Sequence, residues 1–301
     1  MMRKYLLIIL VVFVAFVSIS VLGAYLVTKQ DRLSLGDKVA VIKVYGTISM
    51  SGDTGLFEES RATPDKLKEA LLQAERDGSV KAILLEINSP GGSVVASDEM
   101  ARAIKETKKK KPVVAWMGEM ATSGAYYIAT ASDYVIADRA TITGSIGVIS
   151  VFPEYSRLLE KLGINVTVVK GGEYKDFSMG YRPMTEKERE MLENLVQEIY
   201  DQFLDEVAAN RNLSETYVKS VAEGRIYTGS TAKELKLVDD VGGKEYAIKK
   251  AAELGGIEGE PNIVTYGRRG IFEEFLGKAS AGFGYGFAKG LLQAKEIVKL
   301  G

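Results

Sequence analysis

The chain has 301 residues, enough for one large or two modest domains, and its 46% hydrophobic and 26% charged residues are typical of a folded protein. Its net charge of −1 provides no field that would attract nucleic acid, so we expect no nucleic-acid partner. Cysteine and histidine are both absent, which excludes disulfides, thiolate and histidine zinc sites, and every catalytic dyad or triad that needs either residue.

The first feature along the chain is an apolar segment, Tyr5–Val27, which carries no charge. At about 1.5 Å per residue it is long enough to cross a membrane core of roughly 30 Å, and it is longer than the apolar core of a cleavable signal peptide. Basic residues flank it on both sides and give only a slight preference for a cytoplasmic N-terminus. We therefore expect residues 1–36 to form a single-pass membrane anchor and linker.

The region after the linker alternates predicted strands and helices. Strands are predicted at 39–44, 80–87, 113–117, 134–137 and 166–169, and helices at 64–77, 95–107, 154–162, 215–222, 231–235 and up to about 254. Such alternation predicts an α/β fold in which helices cover a sheet and functional loops gather at one end of the strands. We expect the folded domain at residues 37–260, followed by a glycine- and aromatic-rich tail at 261–301 whose role the sequence leaves open.

The clearest predicted helix begins near Thr185. Thr185 and Glu188 have the spacing of a capping box, and an apolar stripe follows at Leu192, Leu195, Ile199, Phe203 and Val207. The length of this stripe is compatible with packing on a neighbouring subunit.

Ser123 lies within the stretch Gly118–Ala129, which follows an apolar strand and continues into small and aromatic residues. This order predicts a strand-to-helix turn, which exposes a hydroxyl and directs the first helix amides toward the same point. Such a turn suits a nucleophile beside an oxyanion site. The alternative is that Ser123 only caps the helix.

Two further features bear on this choice. The loop Pro90-Gly91-Gly92 follows a strand, and paired glycines let backbone amides approach a ligand, although such loops are also common without a function. In a chain without histidine, a lysine could activate a serine only as the neutral amine, which burial favours. Chemistry of this kind needs no metal or cofactor.

Four motifs stand in order along the chain: Ser-Pro-Gly-Gly-Ser at 89–93, Ala-Thr-Ser-Gly-Ala-Tyr-Tyr-Ile-Ala at 121–129, Thr-Gly-Ser-Ile-Gly-Val at 143–148 and Gly-Glu-Tyr-Lys at 172–175. In order and spacing they resemble the motifs of the signal peptide peptidase A family of membrane-anchored Ser-Lys proteases. The resemblance runs from about residue 39 to 255 and is to the short, single-copy form. It implies a crotonase-like and ClpP-like spiral of β-β-α units, assembly into a dome-like ring, and cleavage, within their apolar cores, of the signal peptides left after protein export.

The resemblance also implies roles for individual residues. Ser123 matches the nucleophile, Lys175 the general base, and Ser145 the serine that orients the lysine. Gly92 and Gly124 match the glycines whose amides form the oxyanion hole, although the adjacent Gly91 leaves open which of the two neighbouring amides points inward. The catalytic domain is expected outside the cytoplasm. The stretch at 177–182 does not match the family pattern and is expected to alter a pocket rather than the dyad.

Three other functions remain open from the sequence. The same Ser-Lys pair could act on another hydrophobic or regulatory membrane protein segment instead of signal peptides. An acyl-CoA enzyme of the crotonase type would use paired oxyanion amides but would not need Ser123 as a nucleophile. A membrane scaffold would keep the fold without the chemistry, which the presence of Ser123, Lys175 and Ser145 disfavours.

Overall fold

A computed structural model describes residues 36–51 and 61–267, together with Ser18. The predicted anchor at residues 5–27, apart from Ser18, and the tail beyond residue 267 lie outside the described residues. Within the described ranges, no helix has the length and apolar character needed to cross a membrane.

The centre of the fold is an eight-stranded sheet. Six strands follow one another in the order β6, β5, β3, β2, β1, β8, while β4 lies beside β3 and β7 beside β4. The strands are β1 (Lys38–Tyr45), β2 (Val80–Ser89), β3 (Val113–Thr122), β4 (Tyr134–Ala137), β5 (Ile142–Gly144), β6 (Ile226–Thr228), β7 (Asp240–Val241) and β8 (Asn262–Tyr266). The helices are α1 (Pro64–Arg76), α2 (Val94–Lys108), α3 (Gly124–Thr130), α4 (Ser156–Lys161), α5 (Glu186–Arg211), α6 (Glu215–Val221), α7 (Gly229–Glu234) and α8 (Lys244–Leu254). The predicted α/β fold is confirmed.

The strand β3 is shared by two neighbours. Its first half pairs with β4 from Val114 to Met117, and its last residues, Met120 to Thr122, pair with β5, both in parallel. Because β2 pairs with β3 as well, the end of β3 has β2 and β5 as neighbours. The residue that follows β3 is therefore held between two strands.

Apolar side chains cover both faces of the sheet. The larger cluster joins α1, α2, α3 and the second half of α5 to one face, with Met100, Tyr126 and Val207 among its buried members. The smaller cluster packs Ala247 and Ala251 of α8 against the opposite face. The described core therefore has a helix layer on each side of the sheet, because both faces of the sheet are apolar.

Side-chain hydroxyls cap the starts of three helices. The Thr63, Ser93 and Thr185 hydroxyls each accept a hydrogen bond from an amide in the first turn of α1, α2 and α5. The capping box of Thr185 and Glu188 is confirmed, since both reciprocal hydrogen bonds are present. The first half of α5 leaves the core, however, and Leu195 is 50% exposed.

Two predicted elements differ from the structure. The strand predicted at 166–169 is wrong: these residues have no regular structure, and Val169 is 97% exposed. Apolar β-branched residues form a strand only where a partner strand accepts their backbone hydrogen bonds, and no described strand lies beside them. The strand predicted at 113–117 continues to Thr122, and β8, which the sequence did not reveal, extends the sheet beside β1.

Candidate active site

Ser123 occupies a one-residue turn, because β3 ends at Thr122 and α3 begins at Gly124. Its φ of 53° and ψ of −124° form a conformation that residues with a Cβ rarely adopt. The Ser123 amide donates to the Gly144 carbonyl at 2.9 Å, and the Ser123 carbonyl accepts from the Tyr127 amide at 2.9 Å. The Ser123 side chain makes no capping hydrogen bond to α3, so helix capping does not explain the serine.

Glycines allow the loop after β2 to approach this turn. Gly91 has φ 91°, and a Cβ there would lie 2.7 Å from the Gly124 nitrogen and 3.0 Å from the Ser123 Cβ. A Cβ on Gly92 would overlap the Ile48 carbonyl, and one on Gly124 would lie 3.4 Å from the Gly92 nitrogen. The loop is therefore packed directly against the serine, at distances that only residues without a side chain permit.

The amides of this loop differ in their partners. The Gly91 amide donates to the Ser89 Oγ at 3.1 Å. Among the described residues, neither the Gly92 nor the Gly124 amide has a hydrogen-bond acceptor. Two amides without acceptors beside a serine hydroxyl can stabilise the oxyanion of a tetrahedral intermediate. The geometry thus favours Gly92 over Gly91 as the second donor.

Ser145 lies near the same turn. It follows Gly144, whose carbonyl accepts the Ser123 amide hydrogen bond. Ser145 has φ 51°, is half-buried, and donates its own amide to the Arg225 carbonyl at 2.7 Å. The structure therefore brings Ser123, Gly92, Gly124 and Ser145 to one end of the sheet.

Lys175 is not part of this group in the described chain. It lies in an exposed turn, where its amide donates to the Gly172 carbonyl at 3.4 Å. No hydrogen bond joins the Lys175 side chain to Ser123 or Ser145 within the described residues. Its role as the general base stays a prediction.

The residue after Lys175 belongs to a buried ionic cluster. Asp176 is only 7% exposed and accepts hydrogen bonds from Arg182 Nη2 at 2.7 Å and Nε at 3.0 Å, from Lys170 Nζ at 2.6 Å and from the Tyr181 hydroxyl at 2.6 Å. These donors, with Arg182 foremost, hold the pKa of the Asp176 carboxyl well below its usual range.

Arg182 also binds Glu188 in the first turn of α5. Its Nη2 donates to Glu188 Oε1 at 2.6 Å and its Nη1 to Oε2 at 2.9 Å, while the Thr185 amide donates to Oε2 at 2.8 Å. Glu188 is 2% exposed, and the Arg182 hydrogen bonds lower its pKa to about 2. One guanidinium therefore links the backbone beside Lys175 to the start of α5.

A groove of about 750 Å³ lies between residues 148–154 and the first half of α5. Its apolar lining includes Val148, Phe152, Leu192 and Val196. Ser123 is not among its lining residues, so this groove is separate from the serine turn.

The sequence patterns did not reveal Ser97 or the ionic cluster. Ser97 is buried in α2, donates to the Ser93 carbonyl at 2.9 Å, and would be overlapped by a Cβ on Gly124. Its position one helical turn after the cap residue Ser93 is the only sequence signal for it.

The described residues contain no cluster of acidic side chains able to hold a metal ion.

The chain is similar in sequence to known proteases. The model of peptidase family S49 matches residues 105–258, and the Clp protease model matches residues 42–145. A protein of Methanocaldococcus jannaschii named "Putative protease" is 39% identical over 96% of this chain and 94% of its own length. "Putative signal peptide peptidase SppA" of Enterococcus faecium is 38% identical over 70% of this chain and 62% of its own length. "Protease 4" of Haemophilus influenzae is 37% identical over 76% of this chain but only 37% of its own length.

Two solved structures share the fold. Both are variants of a 1510-N membrane-bound stomatin-specific protease, and the second contains a substrate peptide. Their TM-scores are 0.52 and 0.50 at 15% sequence identity, with 78% and 82% of this chain and 99% of each solved chain covered. Since the family model matches about half of the chain and the archaeal relative is similar over almost its whole length, the chain belongs to peptidase family S49, a family of serine proteases.

Proposed function

We propose that this chain is an endopeptidase that uses Ser123 and Lys175 as a catalytic dyad to cleave remnant signal peptides within their hydrophobic cores. The observation that carries the proposal is the Ser123 turn, in which a strained serine lies beside the Gly92 and Gly124 amides. Family membership supports peptide hydrolysis, and the name of the Enterococcus relative supports signal peptides as the substrate class.

The proposed reaction begins when the neutral Lys175 amine accepts the Ser123 proton as Oγ attacks the scissile carbonyl. The Gly92 and Gly124 amides donate to the resulting oxyanion, and Ser145 orients the amine. The lysine then protonates the leaving amine, which gives an acyl-enzyme. Water, deprotonated by the same lysine, releases the second product and restores Ser123.

Lys175 precedes Asp176, which Arg182 ties to the first turn of α5, whereas it is the second half of α5 that packs on the helix following Ser123. Phe203, in the second half of α5, packs against Tyr127 of α3 with ring centroids 5.2 Å apart. Glu188, which anchors the Lys175 segment through Arg182, precedes Phe203 by about 22 Å along the helix axis at about 1.5 Å per residue.

We therefore propose that the dyad forms between adjacent copies in an oligomeric ring, with Lys175 of one copy meeting Ser123 of the next. Exposed apolar side chains on the same part of the chain support such a contact. Ile149, Val151 and Val169 are 86%, 76% and 97% exposed. Apolar side chains exposed together are a usual feature of protein interfaces.

Ser123→Ala is the first test of this function. In full-length protein solubilised in detergent, the variant is expected to lose cleavage of an apolar peptide and labelling by an active-site fluorophosphonate, because the nucleophile is gone. Ser220→Ala, which alters an exposed serine of α6, is the matched control and should keep both. Equal cleavage by the Ser123→Ala protein would rule out the proposed nucleophile.

We also propose that residues 5–27 anchor the protein in the cell membrane with the catalytic domain outside the cytoplasm. Full-length protein should stay with the membrane fraction during carbonate extraction, because burial of this apolar segment in lipid is strongly favourable. External protease should reach the catalytic domain in intact cells. Release by carbonate, or protection of the domain from external protease, would contradict this topology.

A second substrate class is favoured by one observation. The alternative substrate is a hydrophobic or regulatory membrane protein segment, and the fold is similar to that of a membrane-bound protease named as specific for stomatin. We expect both substrate classes to bind as extended strands, with apolar pockets selecting small or aliphatic side chains. Cleavage rates on matched signal peptides and membrane protein segments separate the two.

A further inference from the structure

The segment that carries Lys175 has little apolar anchoring. From residue 164 to 184, only Asp176 and Gly180 are buried. Phe177 packs edge-on against Phe152 at 5.8 Å, and the Tyr155 amide donates to the Gly180 carbonyl at 2.8 Å. Most of the other contacts that hold this segment to α5 are the hydrogen bonds of the ionic cluster.

Helix capping alone does not account for this cluster. Thr185 and Glu188 complete their reciprocal capping hydrogen bonds without Arg182. Arg182 adds two bonds to Glu188 and two to Asp176, the residue directly after Lys175. A bidentate guanidinium fixes both distance and orientation between two carboxylates, which a lysine at the same position could not do.

We propose that Arg182 is a positioning residue, which fixes the backbone beside Lys175 and so presents the lysine to the reacting serine. This inference rests on the proposed role of Lys175 as the base. A base contributes fully only when it is held within a fraction of an ångström of its working position, and displacement by about 1 Å can reduce a rate about 100-fold. Within the described chain, Arg182 forms no hydrogen bond with Ser123 or Lys175.

The charges around the cluster make this inference testable at alkaline pH. The groups facing Asp176 are Lys170, Tyr181 and Arg182. Burial, together with the Asp176 hydrogen bond, raises the pKa of Tyr181, and the acidic partners raise the pKa of Arg182. The carboxylates keep their charge because their pKa values are lowered, so the Arg182 hydrogen bonds to Asp176 and Glu188 remain intact at alkaline pH.

The test measures kcat and KM from pH 7 to 11 on full-length protein with an apolar peptide. For Arg182→Gln we expect kcat to fall about 100-fold at neutral pH, with KM almost unchanged. The rising limb of the rate should also move to higher pH, because a lysine held less firmly in its site is more hydrated and deprotonates less readily. Arg182→Lys keeps the positive charge but cannot form the bidentate hydrogen bonds. Its kcat should fall less, and its rising limb should move less, than in Arg182→Gln.

Two comparisons separate positioning from a general effect on stability. Arg157→Gln removes an exposed arginine from α4 in the same part of the chain and should match the unmodified protein. The double variant Arg182→Gln/Asp176→Asn should have a kcat only slightly below that of the less active single variant. Both changes break the same contact, between Arg182 and Asp176. Thermal melting shows which variants are folded, and Arg182→Lys provides the result if Arg182→Gln is not.

The outcomes are distinct. A folded Arg182 variant with the kcat and pH profile of Arg157→Gln overturns the inference. The inference is also overturned if kcat falls by the same factor at every pH and the rising limb stays at the pH of the unmodified protein. That result would indicate a structural role alone. Retained activity in Lys175→Arg would instead overturn the proposed dyad, whatever the Arg182 variants do.

Discussion

Replacing Lys175 with arginine is expected to reduce peptide cleavage by about 10²–10⁴-fold while leaving the fold intact. The guanidinium stays protonated at every pH where the protein is stable, so it cannot accept the Ser123 proton. The fold should tolerate the change because Lys175 is exposed in the described chain. Initial rates with an apolar peptide and a circular-dichroism melt measure the two effects. Lys161→Arg, at the exposed end of α4, is the matched control.

Mixing two inactive variants tests how the dyad is assembled. Subunits carrying Ser123→Ala and subunits carrying Lys175→Arg should regain part of the lost activity when co-expressed, since some neighbouring pairs then contain an intact Ser123 and an intact Lys175. A double variant carrying both changes on one chain, co-expressed with unmodified chain, provides the reference. An active Lys175→Arg protein would exclude the dyad, whereas an inactive mixture would place both residues of the dyad in one copy.

Replacing Gly124 with alanine is expected to reduce kcat by about 10²–10³-fold, the usual effect of losing one oxyanion donor. The new Cβ would overlap the Ser97 hydroxyl and lie 3.4 Å from the Gly92 nitrogen, so the two amides could not keep their arrangement. Gly78→Ala is the matched control, because nothing lies within 4 Å of a Cβ at that glycine. Rates and melting curves of both variants check this expectation.

A compensating change sharpens the Gly124 experiment. Ser97→Gly removes the overlapping hydroxyl and its Cβ, and it should restore part of the activity of Gly124→Ala. No recovery in a folded double variant would mean that the loss does not arise from contact with Ser97. A fully active Gly124→Ala protein would contradict the expectation that the added Cβ displaces the Gly92 and Gly124 amides.

The sequence predicts elements whose signals are local. Thr185 has a hydroxyl at the helix boundary, with Glu188 and an apolar period behind it, and the structure begins α5 there. The Ser123 turn was also predictable, because an apolar strand ends just before a group of small residues. The conformation of Ser123 itself was not, since a φ of 53° depends on the Gly144 carbonyl on another strand.

Features that depend on distant partners were missed or misassigned. The residues at 166–169 have the composition of a strand but no described partner strand. In contrast, β8 contains polar residues and forms a strand because it pairs with β1. Arg182 lay in a stretch that matched no pattern, and its two carboxylate partners became evident only in three dimensions. The position of Lys175 relative to Ser123 depends on the path of an exposed segment, for which the sequence contains no signal.

The backbone strain at Ser123 has a consequence for related sequences. Glycine adopts φ 53° without the roughly 1–3 kcal/mol that a strained residue costs, so Ser123→Gly would make the turn more favourable and remove the nucleophile at once. Reactivity and stability therefore oppose each other at this one position. A family member with glycine at this turn would gain stability by losing its chemistry, so glycine there would mark a non-catalytic descendant.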